Sequence, residues 1–295
     1  MKGFMLSVFL LCFTVSSYAQ ESDRIDNEYQ FTEFLENSLK TAVSSEASKA
    51  FNQRAWAYWH EHKIDYNDHP EKYHKSIELY YKNKERFKTN HTRNIERYKM
   101  TIENFTKFDN RNTLANDPIL FIGSSSIAGW ETANSFPNLP IINRGIGGID
   151  LTEISYYYDV LIKKHAPSIL VLYCDIDIES GKTPKVAVTA FKTLVTKIKN
   201  NFPKTQIIIL SMKPTLIDDF IGKNIRHNKN IANQELANYS KSDSKIHYID
   251  ISKPMIKTDG SLRSDIFIND GMHLNKLGYS LWTPIIRNKV NQLHR

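Results

Sequence analysis

Cysteine is almost missing from this chain, with only Cys12 and Cys174 among 295 residues. A cysteine-built zinc site, a C-x-x-C redox pair and a disulfide-stapled scaffold are thereby excluded. Glycine and proline are sparse, at 11 and 10 residues, which rules out a collagen-like chain. After the first twenty residues there is no apolar run long enough to span a bilayer. Internal repeats and low-complexity tracts are also absent. The formal charge of +7 is modest. Its lysines are interleaved with acids and asparagines over 40–107 and 163–245, so the basic surface reads as solvated. A nucleic-acid reader concentrates such charge in a stripe or a recognisable motif, and none is seen; no nucleic-acid partner is expected.

What is present is enough for a core: 41% hydrophobic and 12% aromatic residues over a length that suits one large domain or two small ones. The opening MKGFMLSVFLLCFTVSSYAQ carries Lys2, an apolar run over 4–15, and Ser17 and Ala19 at the −3 and −1 positions of a cleavage before Gln20. This predicts a secretory signal peptide over 1–19, with an uncleaved anchor as the alternative. The mature chain would be periplasmic or secreted, without a stable membrane anchor. It would carry Cys174 as its single thiol.

Residues 20–110 form a polar, aromatic, glycine-poor region. Phe31, Phe34, Leu35 and Leu39 recur at helical spacing, as do Tyr73, Ile77, Tyr80 and Tyr81. A further helix is expected over 90–108. Trp56, Tyr58 and Trp59 suggest an aromatic helix face packed on the rest of the chain, which favours a structural reading of His60, His62, His69 and His74 over a metal site.

From 111 to 295 the pattern changes. Short β-branched runs at 119–122, 140–142, 169–173, 206–210 and 246–249 alternate with amphipathic stretches at about 126–134, 151–164, 185–200, 224–239 and 276–293. That alternation predicts an α/β domain with a parallel sheet. Chemistry in such a sheet lies beyond the carboxyl ends of the strands.

Three strand-end segments stand out. Gly123-Ser124-Ser125-Ser126-Ile127 follows the first strand. A serine there projects from the sheet edge beside backbone N–H groups able to hold an oxyanion, or merely caps the helix. Asn143-Arg144-Gly145-Ile146-Gly147-Gly148 follows the second; it permits close backbone approach, or is simply a tight turn. Asp270-Gly271-Met272-His273 precedes the last helix. A carboxylate there can fix the tautomer of a general-base imidazole, or cap the helix while the histidine faces solvent. Cys174, inside an apolar strand end, reads as a buried structural thiol.

In order and in placement, these blocks resemble the SGNH, or GDSL-like, hydrolase family, over about residues 118–295. Ser211-Met212-Lys213-Pro214 and the stretch 270–282 are similar to its bacterial esterase branch. The resemblance implies a three-layer α/β/α, flavodoxin-like sandwich and a serine hydrolase without metal or cofactor. Ser125 matches the nucleophile, Gly148 a backbone oxyanion donor alongside Ser125, His273 the base and Asp270 its orienting acid. Ser124 stands where the family often has aspartate. One block departs: the family's Gly-x-Asn-Asp after the third strand is replaced by Cys174-Asp175-Ile176-Asp177 in a loop one residue shorter. Ile176 falls where an asparagine completes the oxyanion hole. Asp175 and Asp177 would add negative charge near the site or face solvent. The implied function is an exported esterase acting on small acyl esters, acetyl groups on carbohydrate foremost. The alternatives are a lysophospholipase or thioesterase, and a catalytically degenerate binding or scaffold protein.

Overall fold

The computed structural model describes residues 24–88 and 94–294. The expected signal peptide and Cys12 lie outside them, as do 90–93 of the helix expected over 90–108. That helix begins only at Lys99, after a turn.

Five strands form one parallel sheet: β1 (Ile119–Gly123), β2 (Ile141–Gly145), β3 (Ile169–Tyr173), β4 (Gln206–Leu210) and β5 (Ile246–Ile249), in the order β2-β1-β3-β4-β5. The strands read as continuous apolar runs because both faces are covered. On one face Leu120, Ile122, Leu170, Leu172, Ile207 and Ile209 pack under the helices Pro184–Asn201 and Ile225–Ser240. On the other, Phe121, Val171, Tyr173, Ile208 and Leu210 meet Trp130, Phe136 and the C-terminal helix Lys276–Leu293 through Trp282 and Ile286. The result is a three-layer α/β/α sandwich of flavodoxin-like strand order. The order reverses at β1 and β3, and their carboxyl ends make the crevice where such folds place ligands.

The strands at 169–173, 206–210 and 246–249 match the sequence reading. β2 instead continues through Gly145, because Gly123 and Gly145 are paired and the ladder continues to the last residue of β1. The helix expected over 126–134 is two short ones, Ser125–Ala128 and Thr132–Ser135. Gly129 lies exposed between them, in ordinary right-handed geometry. The stretch 151–164 breaks in the same way, into Leu151–Tyr156, Tyr158–Leu161 and a 3-10 turn.

Ahead of the sheet come α1 (Glu28–Ser38), α2 (Ser45–Asp68), α3 (His74–Arg86) and α4 (Lys99–Asp109). Asn27 and Ser44 cap α1 and α2 by accepting from the Gln30 and Ala47 N–H groups. Phe51, Ala55, Tyr58 and Trp59 form the buried stripe of α2 at helical spacing. Phe31, Leu35 and Tyr80 complete a third core around them, which also takes in Ile217 and Phe220 from the segment after β4. Trp59 stacks on Phe220 with ring centroids 4.3 Å apart. Tyr80 donates to the Phe220 carbonyl at 2.8 Å, and Tyr66 to Asp219 at 3.0 Å. Tyr58 and Trp59 thus face the packed side of α2, whereas Trp56, expected on the same face, is exposed because it lies off the buried stripe. Helix α4 belongs to the sheet's own core, through Tyr98 just before it and Ile102 within it.

His165 is buried beside an ionic cluster in which Asp109 pairs with Arg144 and Lys164. Burial, reinforced by Arg144 and Lys164 and only partly offset by Asp109, pushes its pKa from 6.5 down to about 4. Below pH 6.5 the unfolded chain therefore takes up a proton at this imidazole that the folded chain refuses. Stability contributed here is complete above pH 6.5 and is lost as the pH falls towards 4. We expect about 2 kcal/mol of loss from this group between pH 7 and pH 5. His165→Gln should remove that part of the slope in urea titrations. An unchanged slope would contradict the assignment.

Candidate active site

The serine turn is set by a missing side chain. Gly123 ends β1 at φ +152°, and a Cβ there would lie 1.8 Å from the Tyr173 carbonyl oxygen. Only glycine allows β1 and β3 to come this close as the chain turns. Ser124 then donates its N–H to that same carbonyl at 3.2 Å and leads into the helix Ser125–Ala128. The three serines have different surroundings. Ser124 and Ser126 are buried, at 0% and 1% exposure, whereas Ser125 is half-buried and is the one solvent reaches. Ser124 makes no side-chain cap; its hydroxyl donates to Asp175 at 3.0 Å.

The second segment lies alongside. A Cβ on Gly145 would come within 2.2 Å of the Ala128 nitrogen, so glycine lets β2 pass under the serine helix. Ile146 donates its N–H to the Gly123 carbonyl at 2.9 Å. The turn at Gly147-Gly148 follows, with Gly148 at φ +73°. Asp150 and Glu153 then form a capping box on the helix Leu151–Tyr156. Residues just before α4 hold the turn from behind: Tyr98 donates its hydroxyl to the Gly147 carbonyl at 2.7 Å, and Arg97 donates to the Gly148 carbonyl at 2.8 Å.

The segment after β3 overturns one expectation. Asp175 and Asp177 neither face solvent nor present free charge; they are 2% and 0% exposed. Asp177 accepts from Lys182 at 2.7 Å and from the Leu151 N–H at 3.1 Å. Asp175 accepts from Ser124, Tyr173 and, at 3.3 Å, Lys213. Burial by itself would raise the Asp175 pKa. The charges of Lys213 and Lys229 and the bonds from Tyr173 and Ser124 outweigh it and hold the carboxylate ionised. Lys229 is in turn paired with Asp218 at 2.8 Å and Glu179 at 2.7 Å. Charges so deeply buried persist only when each has its partner. Sequence reading missed this network because its members come from separate segments. Ile176 opens the short helix Ile176–Glu179 and packs, partly buried, against the core. Cys174 is a buried free thiol whose pKa burial pushes up, so it is not a nucleophile.

Asp270 and His273 are brought together on a tight loop. Ile268 donates its N–H to the His273 carbonyl at 2.8 Å. One Asp270 oxygen accepts the Met272 and His273 N–H groups at 2.8 and 2.9 Å. The other faces His273 Nδ1 at 2.6 Å. Burial raises the Asp270 pKa, but these bonds lower it further, so the net shift is downward. An ionised acid on Nδ1 fixes that nitrogen as the proton-bearing one and leaves Nε2 as the basic position. Among the described residues, no hydrogen bond joins Ser125 to His273. The two segments are tied by Tyr279 of the C-terminal helix, which donates to the Ser126 carbonyl at 3.0 Å and stacks on Trp130.

The N-terminal helices reach this loop. Gly271, at φ +71°, lies against Lys63 of α2: a Cβ there would be 2.8 Å from Lys63 Cδ and 3.2 Å from Leu216. Lys63 is 6% exposed. Burial pushes its pKa down, against the pull of the nearby Asp270. The sequence did carry a signal for it. Lys63 continues the buried Phe51-Ala55-Trp59 spacing, where a solvated lysine has no place. Among the described residues no three His, Cys, Asp or Glu side chains converge as a metal site. His62, among the histidines considered for one, instead faces the Tyr58 carbonyl at 2.9 Å.

No family model matches the chain, and no curated protein does. Solved structures do. One, named provisionally as a platelet activating factor from Streptococcus pneumonia, is 20% identical with a TM-score of 0.59, over 66% of this chain and 94% of that one. A GDSL-like lipase from Bacteroides thetaiotaomicron is 16% identical with a TM-score of 0.57, over 68% of this chain and 99% of that one. A protein provisionally named an acylhydrolase, from Bacteroides fragilis, is 19% identical with a TM-score of 0.56, over 70% and 100%. The chain has the GDSL-like hydrolase fold.

Gly271→Ala should be destabilising by about 1–3 kcal/mol, from left-handed backbone strain and the collision with Lys63. Urea denaturation would show it. Unchanged stability would mean that α2 does not brace the Asp270 loop.

Proposed function

We propose that this protein is an ester hydrolase with Ser125 as nucleophile, His273 as general base and Asp270 as the acid that orients it. The observation that carries the reading is the Asp270–His273 Nδ1 contact at 2.6 Å, on the loop leading into the helix whose Tyr279 holds the serine turn. Ser125, the one solvent-reached serine of that turn, adds to it.

In this reading His273 Nε2 takes the Ser125 proton as Oγ attacks the ester carbonyl. The N–H groups of Ser125 and Gly148 stabilise the tetrahedral oxyanion. His273 passes the proton to the departing alkoxide, leaving an acyl-serine. A water molecule, deprotonated by the same imidazole, releases the acid and restores Ser125. The preferred substrates are acetyl esters on carbohydrate, and the preferred location is outside the cytoplasm, from the character of residues 1–19.

Ile176 favours a second reading, a degenerate site kept for binding. It stands where an asparagine donor would complete the oxyanion hole, and one such donor is worth on the order of a hundred- to a thousand-fold in rate.

Hydrolysis of p-nitrophenyl acetate separates the two. The expected result is slow turnover that falls at least about a hundredfold in Ser125→Ala and in His273→Ala. Acetylated sugars should be preferred over long-chain esters. Turnover no greater than that of the two variants would establish the binding reading. For a working enzyme, Ile176→Asn is expected to raise kcat about tenfold or more. A fall or no change would show that position 176 does not face the oxyanion.

A further inference from the structure

We infer that Tyr98 is a positioning residue for the oxyanion hole, fixing the one peptide whose N–H is the Gly148 donor. The inference rests on the reading of Ser125 and Gly148 given above, and goes beyond it.

The argument begins with a bond. The Gly147 carbonyl and the Gly148 N–H are the two ends of a single peptide unit. The described residues contain no cis peptide. In a planar trans peptide the oxygen and the N–H point in opposite directions. A hydroxyl that holds the oxygen on one side therefore aims the N–H to the other. Tyr98 holds it, at 2.7 Å. Without that bond the unit would be among the freest in the chain, because both its residues are glycine and Gly148 already sits at φ +73°. A rotation of the unit would carry the N–H out of the site at no steric cost.

The phenol is itself fixed. Tyr98 is 5% exposed and belongs to the core beneath the sheet. The Arg97 guanidinium lies 4.6 Å from its ring centroid. That guanidinium also bonds the Gly148 carbonyl at 2.8 Å and pairs with Glu153 at 2.7 Å. Two successive peptides, 147–148 and 148–149, are thus held by adjacent side chains. The Glu153 carboxylate takes the Asp150 N–H at 2.9 Å, so the far end of the turn is anchored as well. The hydroxyl also fills the outer side of the turn, 3.2 Å from where a Gly148 Cβ would stand.

There is an electronic effect in the same direction. Donation to a carbonyl polarises the amide and strengthens its N–H as a donor. A hole with Ile176 in place of a side-chain amide leans on its backbone donors, so the aim of each N–H weighs more.

The test is Tyr98→Phe, which keeps the ring and removes only the hydroxyl, assayed with p-nitrophenyl acetate and with phenylboronic acid. The Ser125 oxygen adds to the trigonal boron as its proton passes to His273, giving a tetrahedral anionic boronate, so the acid reads the oxyanion hole directly. The expected result is a kcat about tenfold lower, a KM within about twofold of the native value, and a boronate Ki raised by about the factor lost from kcat. The melting temperature should move by no more than a few degrees. A merely structural tyrosine would leave the kcat and the boronate Ki unchanged, or would move KM and melting temperature along with them; either pattern overturns the inference alone. If the native chain shows no Ser125-dependent turnover and no boronate inhibition, the functional reading falls first and takes this inference with it.

Discussion

Everything at the carboxyl edge of the sheet depends on how closely three backbones approach one another at Gly123 and Gly145. A single Cβ at Gly123 would occupy the Tyr173 carbonyl, and one at Gly145 would strike the Ala128 amide. With hydrogen in both places, β1 sits between β2 and β3 in register to its last residue. The Ser124 N–H and the Gly123 carbonyl are then used up by the neighbouring strands. The serine turn has no backbone freedom left, and Ser125 is delivered to one place. Sterics do this more cheaply than hydrogen bonds would, because close packing tolerates no local drift.

Below that edge lies a layer of buried charge. Asp175 pairs with Lys213, and Asp218 and Glu179 both pair with Lys229, so each touches a partner of the other sign. An apolar layer of the same volume would match or exceed it in stability, since desolvation cancels most of the attraction. Its distinctive property is geometric. The Asp175 carboxylate accepts from Ser124, Tyr173 and Lys213 together. It therefore ties the residue before Ser125 to the ends of β3 and β4. The hydroxyl at 124, in a place where the resembled family often has a carboxylate, works here as the donor to a carboxylate supplied by the next strand's end. Both sides of such a contact cannot be anionic at this separation without partners, so Ser124 and Asp175 belong together.

The parallel sheet was legible because buried β-branched runs have no other reading at that length. The Asp270–His273 contact was legible because it is local. What escaped the sequence was either non-local or a matter of turn chemistry. Asp175 and Asp177 look solvated until Lys213 and Lys182 are brought to them. The stretches 126–134 and 151–164 carry helical periodicity and still break, at Gly129 and around Tyr157, where packing on the sheet edge overrides propensity. β2 outran its apolar run because its neighbour's register, and not its own side chains, decides where pairing stops. Lys63 falls among the lysines that read as solvated in the sequence; it is buried on the α2 stripe, and nothing nearby in the sequence says that it lies against the Asp270 loop.

The contact with Gly271 bears on what the N-terminal helices are for. Their core closes over Ile217 and Phe220, and Leu216, the residue before, donates its N–H to the Gly271 carbonyl at 2.9 Å. The same loop takes Lys63 from the other side. The Asp270 turn is thus clamped between α2 and the segment after β4, two elements that are themselves stacked through Trp59 and Phe220. A loop this short, with Gly271 at a left-handed φ, would otherwise open locally at little cost. In the proposed reaction these helices would act only by bracing this turn, so loss of packing on α2 would reach Asp270 and His273 through the loop and not through Ser125.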